Sequence, residues 1–544
     1  MFAESTQYST AHYYAAAGAL LVAYYLVPYL RDPHEYRRRF SGPWLASFSG
    51  SWLSRSASSG HHYQNILKAH EKYGKFMRIA PNHISIADPD ALEEVYGHSN
   101  GLLKSEFYDA FITVDGNRNT FSIRDKAIHT AKRKRIANIF SPQNIVAFEP
   151  RVRIHIQRFC EQLDMRCEQA AMGASGFNWT AKNGRAVLNS CPQFAYLTFD
   201  LISDLALGVP FGLVEAQKDS TPTFLSLTSE KNVQGISPIR LVAASGQAGL
   251  VLGSYSSWVQ KILLRAPWQI PRFFIFRDFA SYTHAAVDAS ISKKEKEKEQ
   301  EANERGVDLL DKLFEVKNPD GSPLTRPEID GEAMLMLGAG SDTTANSLSG
   351  MCYYIASNPD VKAKLQEELD SINKGWTEAD DLDGGEFDSA IPRFEQVKNL
   401  PYLNACIKES LRLYSTVGAG LPRVVPEGKT LTVAGQKFNA GSAVSVPSYC
   451  TNRSSVWGPD AEVYRPERWL EEGASSLNKY FAAFSFGPRG CVGRNLANMD
   501  LLLVSSTFFR RYDVQLAKPT TKLQTTEGFV RDATHCEVSL KKRA

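Results

Sequence analysis

The sequence lacks paired cysteines. Its eight cysteines are scattered over positions 160, 167, 191, 352, 406, 450, 491 and 536 of a 544-residue chain, with no CxxC pair among them. A disulfide framework is typical of short, cysteine-dense secreted chains, and a zinc cluster needs closely spaced Cys or His ligands. The spacing therefore argues against both, and most of these thiols are expected to be small buried apolar side chains in a reducing compartment.

The chain also lacks a strong excess of charge. Lys and Arg total 62 against 59 Asp and Glu, a formal net charge of +3. This near balance argues against a nucleic-acid or bulk acidic partner, so any role of basic residues in binding must come from a local cluster of them. With 43% hydrophobic residues the chain can bury a real core, as two subdomains or one large helical domain. The charge run Lys293–Glu301 is interpreted as a solvated helix end or loop.

The N-terminal region has no charged residue from Tyr13 to Leu30. These residues, about 18, are just enough to cross a bilayer as a helix. Arg31 and the triplet at 37–39 follow the apolar run, whereas a cleaved signal peptide carries its positive charge before it. We predict a membrane anchor and basic stop segment in residues 1–40, with a globular domain in residues 41–544 on the cytoplasmic side. The alternative is a buried or interfacial helix.

The remaining chain predicts a mostly α fold with small β-sheets. Apolar residues alternate with turn formers from Met77 to Ala91, which predicts a β-hairpin. The pattern is chiefly helical from about Asp125 to Asp370, and a second strand-rich patch covers Leu421 to Val446. The sequence thus predicts a helical body with a small sheet near either end.

A long helix is predicted between Leu324 and Pro359. Thr325 and Glu328 make a capping box, and the Asn358-Pro359 pair ends the helix. Roughly 30 residues far exceed the mean helix of about 11–12 residues, so this helix is expected to cross the whole body.

The centre of that helix has residues of poor or middling helix propensity. Gly338 and Gly340 remove side chains, which lets another object approach the backbone. Thr343 lies four residues after Ala339, so its hydroxyl can bond that carbonyl, and Asp342 adds a proton-exchanging acid. Close helix packing is the alternative explanation of the glycines, but it leaves the acid–alcohol pair unexplained.

Two further segments place ionic groups together. Glu409 and Arg412 in ESLR lie three residues apart, so they share one face of a helix. Most such pairs are exposed and contribute little. Arg468 in YRPERW is the candidate second arginine, and two arginines sharing one carboxylate would fix the geometry of a loop.

The stretch FSFGPRGCVG, Phe484–Gly493, places Cys491 between glycines and before a helical run. Cys491 is either a small buried apolar side chain or a ligand held on a tight loop. A position at a helix N-terminus favours the thiolate, because backbone N–H groups and the helix dipole stabilise an anion there.

These four motifs, in this order and spacing, resemble those of cytochrome P450 monooxygenases. The likeness runs from about Gly42 to the C-terminus and implies the cytochrome P450 fold, here preceded by a transmembrane helix. It also implies haem b, with Cys491 as the thiolate ligand of the iron. By the same resemblance Phe484 shields the sulfur and Arg489 pairs with a haem propionate.

The resemblance extends to other candidate haem contacts. In HTAKRKRIANIFS, His129 stands where the family commonly has tryptophan and Arg133 matches the family arginine, so both are candidate propionate donors. Arg423 in LPRVV matches a strand arginine with the same role. Ala339 and Gly340 belong to the AGSDTT segment that resembles the oxygen-activation helix, in which Asp342 and Thr343 would be catalytic. Glu409, Arg412 and Arg468 correspond to the family's structural triad.

The resemblance also implies partners. The sequence has no Gly-rich dinucleotide fingerprint in a strand–turn–helix setting, so electrons from NADPH are expected through a separate reductase carrying FAD and FMN. The basic residues Lys132, Lys134 and Arg135 are predicted to form its docking surface, or else a merely solvated face. The expected location is the endoplasmic reticulum membrane, single-pass, with the catalytic domain facing the cytoplasm.

A narrower resemblance is to the fungal benzoate 4-monooxygenase branch. It is carried by GPWLASFSGSWL, YGKFMRIAPNHISIADPDA, YGHSNGLLKSEFYDAF and AGLPRVVPEG. It implies that O2 is used to hydroxylate benzoate, or a close aromatic acid, at the para position, although Asn452 stands where such enzymes often have histidine. The alternatives are another phenolic, fatty or secondary-metabolite substrate, a haem-thiolate peroxide isomerase, or a haem sensor. The Asp342–Thr343 pair argues against the last two.

Overall fold

The computed structural model describes residues 10–98, 100–113, 116–220, 233, 235–266, 270–298, 308–318, 321–372 and 391–543. The helices described are α1 Thr10–Arg31, α2 Tyr36–Arg39, α3 Ser51–Ser58, α4 His62–Tyr73, α5 Ala91–Tyr96, α6 Lys126–Ala137, α7 Pro142–Val146, α8 Glu149–Ala171, α9 Ser190–Leu207, α10 Leu213–Ala216, α11 Pro238–Gly253, α12 Ser257–Leu263, α13 Ile270–Lys298, α14 Leu309–Phe314, α15 Arg326–Ala356, α16 Pro359–Asp370, α17 Phe394–Val397, α18 Pro401–Tyr414, α19 Ser448–Thr451 and α20 Arg494–Arg511. The charge run Lys293–Glu301 lies partly in α13, and its end falls outside the described residues.

The strands are β1 Phe76–Ala80, β2 His83–Ile86, β3 Leu103–Lys104, β4 Trp179–Lys182, β5 Arg185–Asn189, β6 Arg423–Val424, β7 Thr430–Val433, β8 Gln436–Asn439, β9 Ala443–Ser445, β10 Tyr512–Leu516, β11 Gln524–Glu527, β12 Arg531–His535 and β13 Glu537–Lys542. One sheet has the order β1-β2-β9-β6-β3 and a second has β10-β13-β5-β4, while β7-β8 and β11-β12 are hairpins. The predicted mostly α fold with small sheets, the hairpin after Met77 and the strand-rich patch before Val446 are confirmed.

The long predicted helix is α15, which begins at Arg326 and ends at Ala356. Its capping box is present, because the Glu328 carboxylate accepts from the Thr325 backbone N–H at 2.9 Å. α15 packs along α9, and both belong to the largest apolar core. This helix thus provides the rigid element on which the candidate acid and alcohol are placed.

The sequence analysis missed the hairpin formed by β4 and β5. Trp179 pairs with Leu188 and Lys182 with Arg185. The turn is Asn183-Gly184, with φ of 51° and 69°. An Asn-Gly pair between alternating residues is a strong hairpin signal, so the sequence carried the information.

The N-terminal helix α1 covers the predicted anchor. Among the described residues, the stretch from Ala11 to Arg31 is the one long and apolar enough to cross a membrane, by length and composition. It is exposed along almost its whole length. An exposed apolar helix of this length is consistent with a membrane anchor, since burial in the protein core does not account for its composition.

Candidate active site

Cys491 differs from the other seven cysteines of the chain, because they are buried and it is exposed. Its loop is shaped by Gly487, whose φ is 63° and whose Cα lies so close to Tyr96 that an added Cβ would fall 2.3 Å from that residue's carbonyl oxygen. The Cys491 backbone N–H donates to the Phe484 carbonyl at 2.8 Å, which closes the loop. Only glycine fits position 487, so the sequence fixes the loop that presents the thiol.

The Cys491 thiol is accessible although protein surrounds it closely. Cys491 has exposed area, yet the surrounding protein raises its pKa by burial. The Gly493 N–H, Arg133 and Arg494 oppose this shift, because each favours the thiolate. The helix α20 begins at Arg494, as expected for a thiol near a helix N-terminus.

A second opening lies in the middle of α15. Ala339 is exposed although the residues that follow it, from Ser341 to Gly350, are nearly all buried. Thr343 is half-buried on the same face, and its hydroxyl donates to the Ala339 carbonyl at 2.7 Å, as predicted. The middle of α15, which carries Asp342 and Thr343, therefore also has accessible surface on one face.

Gly340 of α15 serves helix packing. A Cβ added at Gly340 would lie 2.7 Å from Ile202 Cδ1 of α9, whereas one added at Gly338 would make an ordinary contact with Phe279 at 3.4 Å. Close helix packing, the alternative explanation of the glycines, therefore accounts for Gly340. Gly340 lets α9 approach the helix, and its missing side chain does not by itself open space for a cofactor.

Five basic side chains converge near the Cys491 loop. Burial, together with the positive charges of Arg489, Lys104, Arg133 and Arg423, lowers the pKa of His129 to about 3. Burial and the same arginines also hold the pKa of Lys104 well below its usual range. Concentrated positive charge inside a protein is unfavourable unless an anion binds between the groups. The arrangement fits the two carboxylates of a haem.

The arginines of this cluster are anchored by protein oxygens. Arg423 donates to the Tyr108 hydroxyl at 2.5 Å, and Arg133 donates to the Gly490 carbonyl at 2.8 Å. Arg489 donates to the Ile123 carbonyl at 3.3 Å. The sequence analysis identified the three arginines and His129 but missed Lys104, because β3, which places it there, is only two residues long.

Phe484 is half-buried and packs against the main core. The guanidinium of Arg494 lies 5.5 Å from the centre of its ring. The backbone carbonyl of Phe484 closes the loop with the Cys491 N–H, and the shielding of the sulfur by the ring stays a prediction.

Glu409, Arg412 and Arg468 come together in the protein interior. The Glu409 carboxylate accepts from Arg412 at 2.7 and 2.9 Å and from Arg468 Nε at 2.9 Å. Trp469 Nε1 adds a fourth hydrogen bond at 3.0 Å. Asn452 joins the network, because its backbone carbonyl accepts from Arg412 at 2.5 Å. The three side chains predicted from sequence form one buried ionic network.

The predicted docking surface needs a correction at Lys132. This side chain is buried and forms an ion pair with Glu332 at 2.9 Å. Lys134 is exposed, and Arg135 is half-buried and donates to Asn318 Oδ1 at 2.9 Å. The prediction that Lys132 takes part in docking is therefore wrong, since α6 turns it inward, while Lys134 points outward.

Asp342 is buried and contacts a second carboxyl that the sequence analysis missed. Burial raises the pKa of Asp342 to about 6, and hydrogen bonds from Asp532 and Asn346 oppose the rise. The two aspartates are 190 residues apart by their numbers. No local pattern near Asp532 could have indicated the contact.

Comparisons with known proteins agree with this geometry. The family model described as Cytochrome P450 matches residues 41–540. The chain is 37% identical to "Benzoate 4-monooxygenase bphA" of Aspergillus niger over 530 residues, which cover 96% of each chain. It is 28% identical to "Pisatin demethylase" of Fusarium vanettenii over 482 residues, 88% of this chain and 85% of that one. A crystal structure of a cytochrome P450 (CYP102L1) superposes with a TM-score of 0.66 at 17% identity, covering 88% and 94% of the two chains.

Proposed function

The chain belongs to the cytochrome P450 family and is a P450 monooxygenase, and from this premise we propose that it hydroxylates benzoate, or a closely related small aromatic acid, at the para position. The observation that carries the proposal is the 37% identity to a benzoate 4-monooxygenase over 96% of both chains. The likeness covers 96% of each chain, so it is not confined to the motifs that the whole family shares.

We propose the following roles for the site residues. Cys491 would ligate the haem iron and Phe484 would shield its sulfur. When bound, a thiolate-ligated haem iron activates dioxygen for insertion of one oxygen atom into the substrate. The propionates would bind among the cationic side chains of the site, namely His129, Arg133, Arg423 and Arg489, together with Lys104. The backbone from Ala339 to Gly340 would contact the haem.

Thr343 and Asp342 would handle protons. The Thr343 hydroxyl donates to the Ala339 carbonyl and keeps its own oxygen free to accept, so it can hold and pass one proton at that atom. Burial raises the pKa of Asp342 to about 6, near neutrality, which suits an acid that exchanges protons. Glu409, Arg412 and Arg468 would hold the segment before the Cys491 loop in place.

The membrane and redox partners follow from the same proposal. Residues 1–40 would form a single-pass anchor in the endoplasmic reticulum membrane, with the domain of residues 41–544 facing the cytoplasm. The exposed apolar helix α1 and the arginines that follow it support this orientation. NADPH would supply electrons through a separate FAD- and FMN-containing reductase that docks near Lys134.

A substrate panel tests the proposed function. The haem-loaded protein is titrated with benzoate, phenol and a medium-chain fatty acid while the haem spectrum is recorded. It is then turned over with NADPH and a P450 reductase. We expect benzoate to change the spectrum at the lowest concentration and to yield its 4-hydroxy product. A spectral change and product from phenol or the fatty acid, with none from benzoate, would assign another substrate.

A further inference from the structure

The carboxyl groups of Asp342 in α15 and Asp532 in β12 lie together, because one amide nitrogen, Asn346 Nδ2, donates to both of them, and each carboxyl acts on the pKa of the other. Asp342 is buried and Asp532 is half-buried. Two carboxyl groups in contact cannot both be ionised without strong repulsion, so the pair retains a proton at a pH where an isolated aspartate has lost it.

Asn346 clamps the two carboxyls. Its Nδ2 donates to Asp342 Oδ1 at 2.8 Å and lies 3.4 Å from Asp532 Oδ1. Its Oδ1 accepts from the Ala533 backbone N–H at 2.6 Å. One side chain of α15 thus fixes the strand that carries Asp532, so the contact between the two acids is built into the fold.

The charged and titratable groups around the pair do not neutralise it. Glu527 of β11 acts on Asp532 and raises its pKa further, in addition to burial and to Asp342. Arg531 is held elsewhere, because its guanidinium lies 4.2 Å from the ring centre of Tyr63 and 4.5 Å from that of Tyr414. The two carboxyl groups therefore retain one proton, which they share between them.

We propose that Asp532 is a positioning residue of the reaction: it shares one proton with Asp342 and, through the Asn346 clamp, holds that acid beside Thr343. Each proton that leaves Asp342 toward the hydroxyl is replaced by one taken from water, and the hydrogen bond between the acids stabilises the pair while Asp342 is ionised. The inference rests on the proposed proton-handling role of Asp342 and Thr343.

The test compares wild type with Asp532→Asn, Asp342→Asn and the double variant, all haem-loaded and supplied with reductase. The amide of Asp532→Asn keeps the shape of the carboxyl group but has no ionisable proton to share. We expect kcat to fall about tenfold, less than the roughly 100-fold or more that general acid–base catalysis contributes, because Asp532 only positions the acid, with KM and the substrate-induced spectral change unaltered. The pH midpoint of kcat shifts, and the double variant is no slower than Asp342→Asn.

Further measurements distinguish a positioning role of Asp532 from a general effect on protein stability. The infrared band of protonated carboxyl groups, followed across pH, should lose the component that titrates near the midpoint of kcat in Asp532→Asn. Glu537→Gln is the matched control, because it changes a half-buried acid of the neighbouring strand β13 that does not act on the pair, and it should leave the pH profile of kcat unchanged. Asn346→Ala should act in the same direction as Asp532→Asn.

Additive losses in the double variant, or an unchanged pH profile and infrared titration in Asp532→Asn, would overturn the inference. If Asp342→Asn and Thr343→Ala are themselves fully active, the proposed proton-handling role fails instead. The two failures are therefore distinguishable.

Discussion

Glu409 and Arg412 form a two-point ion pair in which both side chains have 0% exposure. Arg468 completes the network from 59 positions further along the chain. Removing Glu409 leaves two buried guanidinium groups without their carboxylate, a change that costs about 3–5 kcal/mol. We expect Glu409→Ala to yield little haem-loaded protein, measured from the pyridine haemochrome content per chain.

The control for this prediction is the exposed pair of Lys398 and Glu395, which have the same spacing and a distance of 2.7 Å. Glu395→Ala should change stability by less than about 1 kcal/mol, since exposed pairs contribute little. Normal haem content in Glu409→Ala would mean that the buried network does not hold the haem loop.

Replacing Cys491 tests the axial ligand. Cys491→Ser should fold but lose the long-wavelength band of the reduced carbon monoxide complex, because a serine oxygen does not donate electron density as a thiolate does. Cys450, which is buried and distant in sequence, provides the control, and Cys450→Ser should keep the band. Survival of the band in Cys491→Ser would assign the ligand to another residue.

Thr343→Ala tests the alcohol of the proton relay. The variant should bind haem and substrate normally while more of the NADPH consumed appears as hydrogen peroxide, because the proton held at the hydroxyl is lost. Ser341 makes the same type of bond, donating to the Leu337 carbonyl at 2.5 Å, but it is buried. Ser341→Ala should therefore leave the ratio of product to NADPH unchanged, and equal ratios in both variants would reduce Thr343 to a packing role.

Lys134→Glu tests the docking surface. Because Lys134 is exposed on α6, its charge reversal should slow the first electron transfer from the reductase, most strongly at low ionic strength. Substrate affinity should stay the same. Lys437→Glu, an exposed lysine of β8, is the control. Hydroxylation by the purified protein with NADPH alone would contradict the need for a reductase.

Asp500 in α20 predicts a pH dependence of stability. It is buried, its Oδ1 has no hydrogen-bond partner within the described part of the chain, and burial raises its pKa to about 8. The folded state therefore binds this proton more tightly than the unfolded state, where aspartate titrates near 4. The stabilisation is complete below about pH 4 and is lost as the pH rises through about 8.

The free energy of unfolding of Asp500→Asn, relative to that of wild type, should accordingly increase as the pH rises from about 6 to about 9, by up to several kcal/mol. Urea unfolding of the haem-loaded protein at both pH values measures this difference. Asp360→Asn, at an exposed aspartate, should show no such gain. An equal effect of Asp500→Asn at both pH values would mean that Asp500 is ionised in the folded protein.

Local features of the site were predictable because they depend on neighbours in sequence. The capping box of Thr325, the bond from Thr343 to Ala339 and the loop of Cys491 each join residues within a few positions of one another. Propensity, helical spacing and glycine conformation determine such contacts directly.

Contacts between distant segments were not predictable in this way. Nothing near Lys104 or Asp532 indicates that the first joins a cationic cluster or that the second meets Asp342. The predicted outward direction of the Lys132 side chain was also wrong, because helical spacing alone does not tell which face of α6 the rest of the domain covers.

The sequence by itself determined the family, the helical body with its small sheets, the thiol loop and the acid–alcohol pair, because each follows from a short run of residues with a fixed chemical requirement. Only the tertiary structure decided that Gly340 serves the packing of α9, that Lys132 is inside, and that Asp342 shares its site with Asp532. These outcomes depend on which surfaces the long-range packing brings together, and that packing sets the burial and the neighbouring charges of each group.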